Sequence, residues 1–334
     1  MPGLPDFLQP RPEAPVRVHP PQAEVLPLVC DSPHSGTAYP ADFGFALPLA
    51  QLRRGEDSLV DRLWQAWPEH GATLVEATFP RTYIDPNREE DDINPAMLDG
   101  PWPTPLHPSP KTLQGLGLVW EKLSQAGRST PVYDRALSVA EVQQRIERYW
   151  RPYHAALAQA IRWCVGRFGG VWHINLHSMP SDVYQRLGTP EKTLADFVLG
   201  DRDGTTCDPD FIRLIGETLQ AQGYSVAYNE PYKGVALIGR IGQPHLHRHS
   251  LQIEINRRIY LDEDTRLPSA GFAQVQQHLQ QLMPVWPSTC ASACANCRAP
   301  EPAGLSVAAS RPGMALTARG VRARERPGVF TDLT

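Results

Sequence analysis

Four short segments of this 334-residue chain gather side chains that can do chemistry. Asp31-Ser32-Pro33-His34-Ser35-Gly36 presents a histidine in a glycine-containing turn, and Asn175-Leu176-His177-Ser178 presents a second at the end of an apolar run. Glu56-Asp57 is followed by Asp61, one helical turn beyond Asp57 and therefore on the same helix face. Gln252-Ile253-Glu254-Ile255-Asn256-Arg257 sets a carboxylate inside a β-branched run. Strand alternation puts Gln252, Glu254 and Asn256 on one face and Ile253 and Ile255 on the other. A carboxylate on a core-like strand costs stability unless it is paired, metal-linked or functional. Taken singly, His34 and His177 read as satisfied structural histidines, Asp57 as a helix-start acid, and Glu254 as half of a buried ion pair. Taken together, two histidines and a carboxylate make a catalytic zinc set with the fourth position left to water. A separate glutamate can then accept that water's proton.

The elements that must position these groups alternate along the chain. Val25–Cys30, an apolar run broken by Pro27, leads into the His34 turn, and Thr73–Thr78, Val171–His177, Tyr224–Tyr228, Ala236–Ile238 and Leu251–Ile255 read as further strands. Asp57–Trp67 carries apolar residues at helical spacing. Ser138 and Glu141 form a capping box ahead of Val142, Ile146, Tyr149, Tyr153, Leu157, Ile161 and Cys164. Pro152 is expected to kink or divide that helix. Asp208-Pro209 starts a helix running to about residue 222, and Phe272–Met283 forms the last one. Strands alternating with crossover-length helices predict an α/β domain, with a mixed, largely parallel sheet covered on both faces. Sites in such sheets form where loops leave the carboxyl ends of strands.

The segments SPHSG, ED, RTYIDPNR, HINLHSMP, PYKG and LQIEINRRIYLDE occur in that order between about residues 24 and 283. In these the chain resembles the N-formylglutamate amidohydrolase (deformylase) family of zinc carboxypeptidase-like hydrolases. The resemblance implies a single three-layer domain around an eight-stranded mixed sheet. It implies one zinc per chain on His34, Asp57 and His177, with Glu254 as general base and Arg81 polarising the scissile carbonyl. Asn87-Arg88 resembles the pair that grips a substrate carboxylate, a task suited to arginine's planar fork. Lys233, Arg240 and Arg257 are further candidates for a dianionic substrate. Two departures from the family pattern bear on the site. Thr37 stands where the wider peptidase group has a glutamate, so the carboxylate ligand is Asp57, with Glu56 or Asp61 as alternatives. Asn175 stands where relatives usually carry aspartate. The implied reaction hydrolyses N-formyl-L-glutamate to formate and L-glutamate, the last step of a histidine degradation route. Alternatives are another N-acyl or N-formyl amino acid as substrate, or a catalytically silent carboxylate-binding protein.

Composition narrows the classes. With 41% hydrophobic and 20% charged residues the chain has ample core for a globular domain. It shows no apolar stretch long enough to span a bilayer, and a net charge of −4 does not point to nucleic acid or a membrane surface. The N-terminus lacks the basic start and apolar run of a signal peptide. Scattered Cys30, Cys164 and Cys207 suggest reduced thiols in a cytoplasmic protein. Prolines cluster in residues 1–23, which read as an extended arm, and in the surface loop 95–110. The catalytic domain is expected over 24–285 and a disordered tail over 286–334. That tail holds Cys290, Cys294 and Cys297, whose spacing matches iron–sulfur enzymes without the barrel those enzymes need. His245, His247 and His249 share a face if extended, and read as a polar loop rather than a second metal site.

Overall fold

The computed structural model describes residues 14–125, 128–189 and 192–283. The 286–334 tail and its three cysteines lie outside the described residues. The strands are β1 (Val16–His19), β2 (Leu28–Ser32), β3 (Thr73–Ala77), β4 (Lys122–Gln125), β5 (Arg128–Pro131), β6 (Val171–Met179), β7 (Phe197–Gly200), β8 (Val226–Tyr228) and β9 (Arg248–Asn256). Seven of them build one sheet in the order β1-β3-β2-β6-β9-β7-β8, and β4 and β5 pair apart from it. Strands β3, β2, β6 and β9 run parallel to one another. Strand β1 is antiparallel at one edge, and β7 is antiparallel to β9 while parallel to β8. The architecture is the mixed, largely parallel α/β sheet expected, with seven strands among the described residues rather than eight.

Two local readings change, and one strand has no signal in the sequence. Ala236–Ile238 is not a strand but opens the helix Ala236–Ile241, which buries Leu237 and Ile238. A short buried apolar run has no periodicity to tell the two apart. The sheet also begins inside the Pro-rich arm. Pro15 and Pro20 flank the proline-free stretch Val16–His19, which pairs with β3 as an edge strand, where neighbouring prolines are tolerated. Finally β7, four buried residues long, is too short to show alternation in the sequence.

Each face of the sheet has its own core. Val29, Val75, Ala77 and Val171 pack with Tyr153, Leu157, Ile161 and Cys164 of the helix Arg151–Phe168. On the other face Leu74, Ile174, Leu176, Ile253 and Ile255 pack with residues of Val60–Trp64, Pro209–Ala221 and Phe272–Gln280. Full burial of one such aliphatic side chain contributes roughly 1.5–3 kcal/mol. Slipping β6 or β9 by one residue would turn this set outward and drive His177 and Glu254 into the opposite core. The apolar alternation thus fixes which face receives the polar groups.

Sequence signals at helix ends are realised. Ser138 Oγ accepts from the Glu141 amide at 3.0 Å. Asp208 accepts from the amides of Asp210 and Phe211, with Pro209 in the first turn. Pro152 does not end the helical run, which passes from α to π winding just before it. It lies in the first turn of Arg151–Phe168, which continues from Val139–Arg145 through a π turn at Ile146–Trp150, and that wider turn accommodates the missing N–H. One turn on, His154 lies against the Trp150 ring with centroids 3.8 Å apart. Burial and the charge of Arg240 push its pKa down to about 3.

A histidine held neutral in the fold but free to protonate when unfolded draws stability away at low pH. Its contribution is intact above the unfolded value near 6.5 and is lost as pH falls from there towards 3. His154→Phe should therefore flatten the fall in urea midpoint across that window. An unchanged acid slope would refute this.

Candidate metal centre and active site

The site forms at the carboxyl ends of β2, β6 and β9, where register does most of the positioning. Asp31 of β2 is level with Asn175 of β6, Asn175 with Gln252 of β9, and His177 with Glu254. His34 follows β2 in a turn that lies on the end of β3. A Cβ on Gly36 would sit 2.3 Å from the Phe79 carbonyl oxygen, so only glycine allows this approach. The same turn holds the next ligand, since the Asp57 amide donates to the His34 carbonyl at 3.0 Å and Ser35 Oγ donates to the Asp57 carbonyl.

His34, Asp57 and His177 converge as a buried trio whose ligand atoms lie within 4.8 Å of one another. His34 Nδ1 is 3.3 Å and His177 Nδ1 3.1 Å from the same oxygen, Asp57 Oδ2. The outer nitrogens are engaged elsewhere. His34 Nε2 lies 2.7 Å from Asp85 Oδ1 and His177 Nε2 lies 2.6 Å from Asn175 Oδ1. The Asn175 amide cannot be reversed, because its Nδ2 donates to Asp31 Oδ1 at 2.8 Å. Its oxygen therefore faces His177 Nε2, which Asn87 Nδ2 also approaches at 3.1 Å; with the Nε2 proton directed at Asn175, the Nδ1 lone pair turns towards Asp57. Asp85 does the same for His34. Two imidazole lone pairs and a carboxylate oxygen aimed at one another are repulsive without a cation between them, and this donor set fits a metal ion.

The electrostatics agree. Burial alone would raise the Asp57 carboxyl, but the neighbouring His177 and His34 rings and the charge of Arg257 hold it well below the usual carboxylate range. Burial lowers His177 to about 4, so it is neutral and able to ligate. Asp85 is likewise held low against burial by Arg81, His34 and Arg88. Glu254 behaves oppositely. Burial and the Asp57 charge raise it to about 8, countered by Arg81, Arg257 and Lys111. Gln252 Nε2 donates to its Oε1 at 3.0 Å.

The alternative carboxylates lie elsewhere. Glu56 accepts from Tyr39, Arg53 and Ser58, Asp61 is outside the trio, and Thr37 is exposed. The cation candidates separate too. Arg81 bonds Asp85 through Nε and Nη2, lies over the Trp120 ring at 4.8 Å, and brings Nη1 to 3.8 Å from Asp57 Oδ1. Arg88 is buried, with Nε and Nη1 donating to the Leu116 and Asn87 carbonyls, and has no ion pair among the described residues. Asn87 bonds towards Asn175 and accepts from the Leu237 amide. Three expected substrate residues carry carboxylate partners in the fold. Arg257 is buried behind Asp57, donating to Oδ1 at 2.8 Å. Lys233 is exposed and paired with Asp203, and Arg240 is paired with Glu89. His249 stacks on Trp172, while His245 and His247 join no metal-competent group among the described residues. Sequence reasoning missed Asp85 as the partner of both His34 and Arg81. It lies four residues after Arg81 within RTYIDPNR, and only the folded loop turns it inward.

A mixed α/β sheet that carries a buried His–Asp–His trio and an adjacent glutamate at its parallel strand ends has the layout of a metal-assisted hydrolase. Comparison with known proteins agrees. Residues 26–261 match the family model of N-formylglutamate amidohydrolase. An N-formylglutamate deformylase of Pseudomonas aeruginosa is 30% identical over 268 residues, covering 77% of this chain and 93% of the relative. A crystal structure of N-formylglutamate amidohydrolase from Ralstonia eutropha JMP134 is 57% identical, with a TM-score of 0.78, covering 81% of this chain and 96% of that one. A gene product of Agrobacterium tumefaciens shares the fold at 18% identity and a TM-score of 0.56, over 83% of this chain and 95% of its own. The chain belongs to the N-formylglutamate amidohydrolase family, hydrolases of an amide bond. No helix among the described residues is long and apolar enough to cross a membrane, and Cys30, Cys164 and Cys207 are buried free thiols.

If Asp85 fixes the His34 tautomer, Asp85→Asn should weaken metal retention by about 10- to 100-fold in a chelator competition titration. Glu56→Gln should leave it unaltered. Equal retention in wild type and Asp85→Asn would remove Asp85 from this role.

Proposed function

We propose that this chain is a zinc-dependent amidohydrolase that cleaves N-formyl-L-glutamate to formate and L-glutamate, a reaction placed at the end of a histidine degradation route. The observation that carries this reading is the pairing of His177 with Glu254 on adjacent parallel strands, beside a metal-competent trio. His34, Asp57 and His177 would hold the ion. Zinc bound there supplies a Lewis acid that polarises the formyl oxygen and makes water acidic near neutral pH.

The remaining work falls to the chain. Glu254 takes the proton of the attacking water and delivers it to the departing amine nitrogen. Its raised affinity for protons suits both halves of that transfer. Arg81, held over the Trp120 ring and by Asp85, directs its free edge towards the centre, where negative charge grows on the former carbonyl oxygen. Arg88, its guanidinium fixed by two backbone carbonyls, offers its remaining edge to a substrate carboxylate. Asn175 keeps His177 in the ligating tautomer without adding charge, so the amide at this position suits an active enzyme.

Purified protein with its zinc quantified should release equimolar formate and glutamate from N-formylglutamate. Zinc-loaded protein that releases none would overturn the substrate assignment. Glu254→Gln should lower kcat by about 10²- to 10⁴-fold with a smaller change in KM. Full activity in that variant would mean that another group is the base.

A further inference from the structure

A dicarboxylic N-formyl amino acid brings two carboxylates, while Arg257 faces Asp57 and Lys233 and Arg240 sit in exposed ion pairs with Asp203 and Glu89. Arg88 accounts for one. The structure supplies a second cation from the Pro-rich loop. Lys111 lies in the helical turn Pro110–Leu113, half-buried, with its ammonium 5.7 Å from the centre of the Tyr232 ring. Among the described residues it forms no ion pair, although it acts electrostatically on Arg81, Arg88 and Glu254.

The turn that carries Lys111 is built onto the site. Asp92 Oδ1 accepts from the Ser109 amide at 2.6 Å and from Thr112 Oγ1, and Ser109 Oγ caps Thr112. The Leu116 amide donates to the Lys111 carbonyl at 2.9 Å, and the Leu116 carbonyl accepts from Arg88 Nε at 2.9 Å. The Arg88 guanidinium and the Lys111 backbone are thus joined through one residue. Tyr232, whose ring Lys111 faces, itself feels the charges of Glu254, Arg257 and Arg81.

Lys111, Arg88 and Arg81 repel one another, and of the three only Arg81 is ion-paired among the described residues. Burial and the charges of Arg88 and Arg81 make Lys111 give up its proton more readily than a free lysine. An arriving dianion relieves that repulsion, so these cations suit a ligand with two negative groups. A monoanionic acyl amino acid would leave one cation uncompensated.

We propose that Lys111 determines substrate specificity, its ammonium taking the side-chain carboxylate of an N-formyl dicarboxylic amino acid while Arg88 takes the α-carboxylate. This rests on the amidohydrolase reading above and extends it to a residue outside the metal centre. The probes are glutarate, a five-carbon dianion, and butyrate, its monoanionic counterpart, each titrated calorimetrically into metal-loaded protein. Wild type should bind glutarate more tightly than butyrate. Lys111→Met should lose about 10- to 100-fold in glutarate affinity, with butyrate affinity shifting less than about twofold, and Lys111→Arg should recover part of the loss. In turnover the same variant should raise KM for N-formylglutamate more than it lowers kcat. Glutarate binding in Lys111→Met equal to wild type would overturn the proposal, even if formate release is intact. A Lys111-dependent preference for glutarate in a protein that releases no formate would sustain the proposal's binding arm while refuting the hydrolase reading.

Discussion

The centre hangs on one buried carboxylate, Asp57. Its Oδ2 is shared by two imidazole nitrogens and the Ser178 amide, while its Oδ1 accepts from Arg257. An ionised group in such a place is tolerable only if it is compensated, and uncovering one by removing its partner costs about 3–5 kcal/mol. Arg257 does this from the residue that follows β9, and is itself held by Ser178 at 3.0 Å. The loop after β2, the end of β6 and the end of β9 therefore meet on a single ion. Each must be in place for the others to be satisfied.

Around this ion the chain uses neighbours of different charge to orient two like ligands. His34 is backed by a carboxylate that also holds Arg81 and accepts from Trp120 and the Asn87 amide. His177 is backed by an amide whose orientation is set by Asp31, which is in turn bonded by His173 and Tyr153. Asp31 thus has its charge fully satisfied deep under the site, where no substrate reaches it. Keeping that second carboxylate away from the ligand, with Asn175 between them, limits the negative charge that an incoming dianion must approach.

Much of this was legible in the sequence because it follows from short-range rules. The alternation of Gln252, Glu254 and Asn256 with Ile253 and Ile255 showed which face is polar. The strand-to-turn passage at Gly36 showed that His34 is presented at a strand end, and the cap at Asp208-Pro209 placed a helix start. Resemblance then selected Asp57 over Glu56 and Asp61, and the trio in the fold is the one it implied. What stayed hidden was long-range. Nothing local distinguishes Arg257, Lys233 and Arg240 from cations free to bind substrate. Their carboxylate partners Asp57, Asp203 and Glu89 are distant in sequence and are brought to them by the fold. Asp85 escaped for the same reason, and β1 was hidden by the prolines on either side of it.

The position of β9 carries a consequence for how the molecule is made. It is the last strand of the sheet to be synthesised, yet it lies between β6 and β7 and pairs with both. Until residue 256 has left the ribosome, β6 and β7 are unpaired edges, the surfaces most prone to join the wrong partner. The same strand brings Glu254, and Arg257 follows directly after it, so neutralisation of Asp57 does not precede closure of the sheet. Long-range closure of this kind is intrinsically slow, and it makes completion of the fold and assembly of the catalytic centre one event.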